Sequence, residues 1–414
     1  MSKETWLMLL NNMYRTLILN NRTYAAFNEK EVLPLVKHFS DKNVNEIFDP
    51  MSGYGTLVQY CEKFEIGTYC VELNTPSYLW QVLNNPQYSD IFISAIKQIS
   101  ERKKIWIVPK VRSEVSDEWY TDLGKEIILS LYRENENVFE HLVDKTFVET
   151  MSLALLLPFV SRLSCSLNGD VAHIKKGGLC VYYNYTDDYN HYLNELICDR
   201  LKKIKVNHKK NVIHQMTLGD CSKIQLPTKR FSSMITSPPY PNSRDYAKMF
   251  APENYILDWL NGEGIIEMTS PETVTIGSNV VSGRVTGDIV SKSANEFINK
   301  IRDYKGTKKA MSDNKSYYVP YFKNYFADLE NAYCKLIPAL SSQFEGYIIV
   351  TNNTARKYII PVEKSVIEIW EHLGFKAEVF GSIEKSHMGA KNPDAKGFKA
   401  RHMEYIIRVW RNET

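Results

Sequence analysis

No Cys-x-x-Cys pair occurs in this chain, and its seven cysteines are scattered and odd in number. That pattern argues against a disulfide framework and a cysteine-based zinc site. It fits a reducing, cytoplasmic compartment and no metal. No Pro-Cys dipeptide occurs anywhere. The apolar N-terminal stretch Trp6 to Leu10 is interrupted by Asn11, Asn12 and Arg15, so it reads as an amphipathic helix. It is too short and polar for a membrane span and lacks a small-residue cleavage site, so no membrane partner is expected. Net charge is only +3, and global charge therefore demands no nucleic-acid partner. Internal repeats and low-complexity tracts are absent.

What remains is ordinary for a globular chain: 414 residues, 44% hydrophobic and 24% charged, enough for two or three domains. The 26 tyrosines stand out, since tyrosine both packs and stacks on flat ligands. Strand signals fall at 45–50, 67–73, 179–185, 231–237, 345–351 and 404–410. Helical patterns lie between several of them, as at 325–340 and 365–375. Strands alternating with helices predict an α/β fold with a mostly parallel sheet. Basic segments at 101–112 and 200–210, and a polar Gly/Ser/Lys-rich stretch over 277–315, break that rhythm. Each lysine run reads equally well as a solvated helix face.

Four short pieces carry chemistry. In "FDPMSGYGT" a strand ends at Phe48, Asp49-Pro50 leaves it, Gly53 and Gly55 permit a tight turn, and a helix starts near Thr56. A strand, Gly-rich loop and helix in that order is the arrangement of nucleotide-type cofactor sites. No Gly-Lys-Ser/Thr follows, which excludes a Walker loop. Roughly 20 residues on, Glu72 ends the next strand, where an acid can accept hydrogen bonds from ribose hydroxyls. In "MTLGDCSKI" Asp220 follows a strand end, either facing a bound adenine amine or forming an Asx turn. In "TSPPYPNSRDY" a buried strand runs directly into Ser237, Pro238, Pro239 and Tyr240, either a rigid shelf at a site or only a turn.

Together, Asp-Pro-x-x-Gly-x-Gly-Thr, a strand ending in Glu, Gly-Asp and Ser-Pro-Pro-Tyr resemble the amino-methylating DNA methyltransferases. The resemblance covers about 21–76, 216–262 and 320–410. Met51 stands where that family usually has Phe, and 21–27 departs from its commoner pattern. The fold it implies is a Rossmann-like class I methyltransferase sheet, mostly parallel with an antiparallel strand near the C-terminus and an inserted DNA-recognition region. The implied organisation is a cofactor-binding half over 1–79, an inserted target-recognition candidate over 80–215, a catalytic segment over 216–262, a basic loop region over 263–320 and the rest of the core over 321–414.

The implied cofactor is S-adenosylmethionine, held by Tyr24, Phe27, Asp49, Pro50, Met51, Gly53, Gly55, Thr56, Glu72, Leu73, Asp220 and Cys221. The implied catalytic shelf is Ser237, Pro238, Pro239 and Tyr240. The resemblance implies that the Ser237 side chain and the Pro238 carbonyl accept the two N–H bonds of a target amine and that Tyr240 lies against the base. A conjugated exocyclic amine is a poor nucleophile, so acceptors at both N–H bonds draw it toward sp³ geometry. The target atom is unreachable inside a duplex, which requires base flipping from double-stranded DNA. Arg200, Lys202, Lys203, Lys205, Lys209 and Lys210 are the candidate phosphate contacts.

Methylation at cytosine C5 needs the thiolate of a Pro-Cys pair that the chain lacks. Serine as the first tetrad residue favours cytosine N4, with adenine N6 as the alternative. The large inserted region implies site-specific recognition and a cognate restriction endonuclease as a partner. An RNA amino-methyltransferase fits less well, since the tRNA guanine enzymes usually begin the tetrad with Asp and carry an N-terminal RNA-binding domain. A protein-glutamine methyltransferase typically has Asn-Pro-Pro-Tyr. A non-catalytic DNA-binding module would have no reason to keep Gly53, Gly55, Glu72 and Ser237 together.

Overall fold

The computed structural model describes residues 27–101, 120, 122–168, 171–174, 212–242, 250–270, 275–278, 281, 288–385 and 402–411. The expected N-terminal helix, the strand over 179–185 and the segment 200–210 lie outside them.

A seven-stranded sheet organises these residues. Its strands are β1 (Glu46–Asp49), β2 (Gly67–Glu72), β5 (His214–Leu218), β6 (Phe231–Thr236), β7 (Leu340–Thr351), β10 (Lys376–Lys385) and β11 (His402–Trp410), in the order β10-β11-β7-β6-β1-β2-β5. β1, β2, β5, β6 and β7 pair in parallel, while β11 runs antiparallel to both β7 and β10. Six strands therefore point one way and β11 alone is reversed, as expected of a mostly parallel sheet with an antiparallel strand near the C-terminus. Two short hairpins, β3 (Cys165–Asn168) with β4 (Val171–Ile174) and β8 (Thr354–Ala355) with β9 (Tyr358–Ile359), stand apart from it.

Strand periodicity assigns successive residues to opposite faces. Phe48, Met234, Ile348 and Ile407 enter one apolar cluster, and their neighbours Ile47, Ile235, Ile349 and Ile406 enter another. Both faces must then be covered. Helices α1 (Glu29–Asp41) and α2 (Thr56–Glu62) cover the second face. In α1, Val32, Leu35, Val36 and Phe39 recur at helical spacing, and the Asn28 side chain caps the first turn by accepting the Lys30 N–H. Helices α8 (Lys292–Arg302), α10 (Val319–Leu336) and α11 (Val362–His372) cover the first, with α9 (Lys308–Asp313) leading into α10. α10 begins six residues ahead of the 325–340 pattern, with Pro320 in its first turn and a π-helical segment, Asn314–Tyr318, running into it from α9.

The described residues between 75 and 164 include α3 (Thr75–Asn84), α4 (Ser89–Glu101), α5 (Asp122–Phe139) and α6 (Lys145–Ser164). They pack together with α7 (Ala251–Gly262) through Leu79, Phe92, Tyr132, Leu155, Ile256 and Leu260. The expected border at 79/80 therefore falls inside α3, and the described helices that follow it share one apolar cluster with α7, in the segment expected to be catalytic. α6 is apolar all round because its middle is buried all round. None of the described helices is long and apolar enough to cross a membrane. Among the described residues no group of three or more His, Cys, Asp or Glu is arranged to hold a metal ion, and four cysteines are free.

Candidate functional site

From β1 the chain moves outward to β2 and β5, then returns to β6 on the other side of β1. The reversal leaves a crevice at the carboxyl ends of β1 and β6, where ligands bind in open α/β sheets. Asp49 ends β1 and Thr236 ends β6, and both are buried. The Thr236 hydroxyl donates to Asp49 Oδ1 at 2.8 Å, so the glycine-loop motif and the Ser-Pro-Pro-Tyr motif touch although 187 residues separate them. Asp49 Oδ1 also accepts the Met51 N–H at 3.2 Å, while Oδ2 is buried with no hydrogen-bond partner among the described residues. Burial pushes this carboxyl up to about 7, against the lowering effect of its bonds to Thr236 and Met51.

The glycine loop is built from both sides. Gly53 and Gly55 have φ of +53° and +68°, backbone that side chains with a Cβ adopt at a cost. The Gly53 N–H donates to Glu72 Oε2 at 2.7 Å, and the Asn74 N–H donates to Oε1 at 2.8 Å. Glu72 thus ties the first crossover loop to the second. Burial raises its carboxyl to about 8, opposed by those two bonds and assisted by nearby Asp49. Gln81, on α3, donates to Ser52 Oγ at 2.8 Å and to the Gly53 carbonyl from beneath. At the loop's far end the Phe27 N–H donates to Thr56 Oγ1 at 3.2 Å, joining the segment before α1 to the start of α2.

A Cβ on Gly53 would meet no atom within 4 Å, whereas a Cβ on Gly55 would lie 2.8 Å from Gln81 Cγ. Open space lies over one glycine and packed protein behind the other. Gly55→Ala is therefore expected to lose stability, roughly 1–2 kcal/mol from the left-handed backbone alone and more from displacing Gln81. Gly53→Ala is expected to lose less. Paired melting curves check this, and equal midpoints for the two variants would contradict it.

The Ser-Pro-Pro-Tyr loop is held by side chains from distant elements. Tyr325, on α10, donates to the Pro239 carbonyl at 3.0 Å, and the Asn242 N–H donates to the Tyr321 hydroxyl at 2.7 Å. Asn353 donates to the Pro241 carbonyl at 2.9 Å, and Asn242 donates to the Thr354 carbonyl at 2.7 Å. The Pro238 carbonyl takes no hydrogen bond among the described residues. Ser237 Oγ lies 2.9 Å from the Tyr240 hydroxyl, which donates to Glu404 Oε1 at 3.2 Å.

Most expected site residues converge here: Asp49, Pro50, Met51, Gly53, Gly55, Thr56, Glu72 and Leu73 on the β1 and β2 loops, with Ser237 to Tyr240 beside them. Asp220 is on the neighbouring β5 loop, tied in by the Gly219 N–H donating to the Glu72 carbonyl at 2.8 Å. Its Oδ1 accepts the Ser222 N–H at 2.8 Å and the Ser222 hydroxyl at 2.7 Å, an Asx turn. Cys221 is buried in the cluster under α8 and α10, and burial raises its thiol. Tyr24 and the lysines of 200–210 lie outside the described residues. Gln81, Tyr321, Tyr325, Asn353 and Glu404 join the site without a motif to mark them. No protein-family model matches the sequence, and no curated protein matches it at a significant level of similarity.

Proposed function

We propose that the chain is an S-adenosylmethionine-dependent DNA amino-methyltransferase acting on cytosine N4, with adenine N6 as the second reading. The observation that carries this is the contact between Thr236 and Asp49 at 2.8 Å, which joins the glycine loop and the Ser-Pro-Pro-Tyr shelf in one crevice. A turn with no role in a site has no need to sit at the switch point. The cofactor fits the residues present. The unpartnered Asp49 Oδ2, the open space over Gly53 and the remaining lone pairs of Glu72 together offer two carboxyl groups, which ionise as pH rises through about 7 and 8, and an approachable backbone to a cationic nucleoside.

When bound, S-adenosylmethionine supplies an electrophilic methyl group on a sulfonium. Glu72 would accept from the ribose hydroxyls, and Asp49 would add negative charge to the site of a cationic cofactor. Ser237 Oγ and the Pro238 carbonyl accept the two N–H bonds of the target amine. The adjoining proline rings limit backbone motion, so the carbonyl needs little reorganisation when the amine arrives. Tyr240 stacks on the flipped base, which offsets part of the unstacking cost by roughly 1–3 kcal/mol. A cognate restriction endonuclease belongs to this reading as an expected partner.

A basic segment flanks the shelf. Asn242 binds Thr354 in the β8–β9 hairpin, and Arg356 of that hairpin donates to Asn314 Oδ1 at 2.8 Å and the Ala310 carbonyl at 3.1 Å. The segment so anchored exposes Lys305, Lys309 and Lys315. Reversing all three charges is expected to weaken DNA binding and flatten the salt dependence of log K by about 2–3, near 0.9 per lost phosphate contact, with cofactor affinity unchanged. An unchanged salt slope would leave these lysines as a solvated face.

The function itself is tested by incubating the protein with isotopically labelled S-adenosylmethionine and DNA, RNA or protein in parallel. Label on DNA alone is expected. Label on RNA or protein alone would keep the site and reject the substrate.

A further inference from the structure

We infer that Glu404 is a positioning residue for the transfer, fixing the direction of the Ser237 hydroxyl through Tyr240; this rests on the amino-methyltransferase reading. β11 runs antiparallel to both of its neighbours, β7 and β10. Because that strand alone is reversed, its first residues lie level with the carboxyl end of β7, and Glu404 pairs with Thr351. A residue from the end of the chain thereby reaches the crevice. Glu404 is 2% exposed, and its Oε1 accepts the Tyr240 hydroxyl at 3.2 Å and the Thr351 hydroxyl at 3.4 Å.

Proton counting sets the consequence. A carboxylate only accepts, and a phenol has one O–H. With that O–H committed to Glu404, the Tyr240 oxygen is left to accept, and the Ser237 O–H, 2.9 Å away, is left to donate to it. Ser237 Oγ, half-buried, then has lone pairs alone to offer a ligand. A target amine presents N–H bonds and requires an acceptor there. Without Glu404 the serine proton is free to rotate toward the amine, where donor would meet donor. A carboxylate in place of Ser237 would carry no proton to orient, so this need is specific to a serine-type shelf. Hydrogen bonds in such a chain also polarise one another, raising the acceptor strength of Ser237.

Two measurements test this. Protein labelled with ¹³C at tyrosine Cζ gives a resonance for Tyr240, identified by its loss in Tyr240→Phe. Glu404→Gln, an isosteric change, is expected to move that resonance with no substrate present. Kinetics then form a double-mutant cycle. Glu404→Gln is expected to lower kcat by about 10-fold with KM for DNA within about twofold, and to cost less than about twofold more once Tyr240→Phe is in place, because both variants break one chain.

Tyr240→Phe keeps the ring and is half-buried, so it reports the same chain even if Glu404→Gln folds poorly. A Tyr240 resonance that stays put, full kcat in Tyr240→Phe, or equal losses for Glu404→Gln in both backgrounds would overturn the inference while leaving the methyltransferase reading intact. A wild type that transfers no methyl group to DNA would overturn the reading itself, and the role of Glu404 with it.

Discussion

Tyr240→Ala is expected to cut methyl-transfer turnover on the order of 100-fold while leaving S-adenosylmethionine affinity within about twofold. Two losses combine. Removing the ring forfeits roughly 1–3 kcal/mol of base stacking, which corresponds to about 5- to 150-fold. Removing the hydroxyl frees Ser237, whose Oγ lies 2.9 Å from it. Neither loss touches the glycine loop, since Gly53 is held by Glu72 and Gln81. Tyr240→Phe keeps the stacking and is expected to fall between wild type and Ala. Single-turnover kinetics with calorimetric titration of the cofactor separate the two effects. Loss of cofactor binding in Tyr240→Ala would assign Tyr240 to the cofactor side and end its role as a base platform.

Glu72→Ala is expected to do the opposite. Charge-assisted hydrogen bonds contribute roughly 1.5–3 kcal/mol each, so losing the ribose acceptor weakens cofactor affinity by on the order of 100-fold. The Gly53 and Asn74 N–H groups also lose their shared partner, which loosens the loop. The pH dependence gives this prediction a second edge. In the ligand-free protein Glu72 is raised to about 8 from an ordinary value near 4.5. A raised carboxyl contributes stability that is complete below the unfolded value and is lost as pH rises through the folded one. Stability of the free protein is therefore expected to decline between about pH 5 and 8 from this group, with Asp49 adding to the decline up to about 7.

Cofactor affinity is expected to rise over the same range, because the ionised carboxylates are the forms that accept from ribose and attract a sulfonium. Affinity that is flat from pH 6 to 9 in the wild type would contradict this. So would an undiminished affinity in Glu72→Ala.

The parts of the fold legible in the sequence are those set by local pattern. β1, β2, β6 and β11 fall where apolar runs predicted them; Asp49-Pro50, Gly67 and Ser237-Pro238 mark ends of the first three, and β11 shows through its apolar run alone. The meeting of the two motifs followed from both sitting at strand ends. The supports of the shelf were not legible. Tyr321 and Tyr325 look in sequence like any other buried aromatics of α10, and their hydroxyls gain meaning only from where α10 packs. Gln81 reads as an ordinary helix residue until the loop above it is folded. Glu404 depends on the reversal of β11, which local periodicity cannot encode, since parallel and antiparallel strands both alternate.

The boundary near 79/80 was misleading for a related reason. The resemblance placed the border there, but α3 carries Leu79, Val82 and Leu83 into the cluster formed by the helices that follow.

The central claim is that the crevice between β1 and β6 delivers a methyl group to the exocyclic amine of a DNA base. The most direct measurement is nucleoside mass spectrometry of DNA treated with the protein and methyl-labelled S-adenosylmethionine. Labelled 4-methylcytosine is expected, and its loss in Ser237→Ala. Labelled 6-methyladenine would keep the shelf and reassign the base. Labelled 5-methylcytosine, or unlabelled DNA at every cofactor concentration tried, would contradict the account.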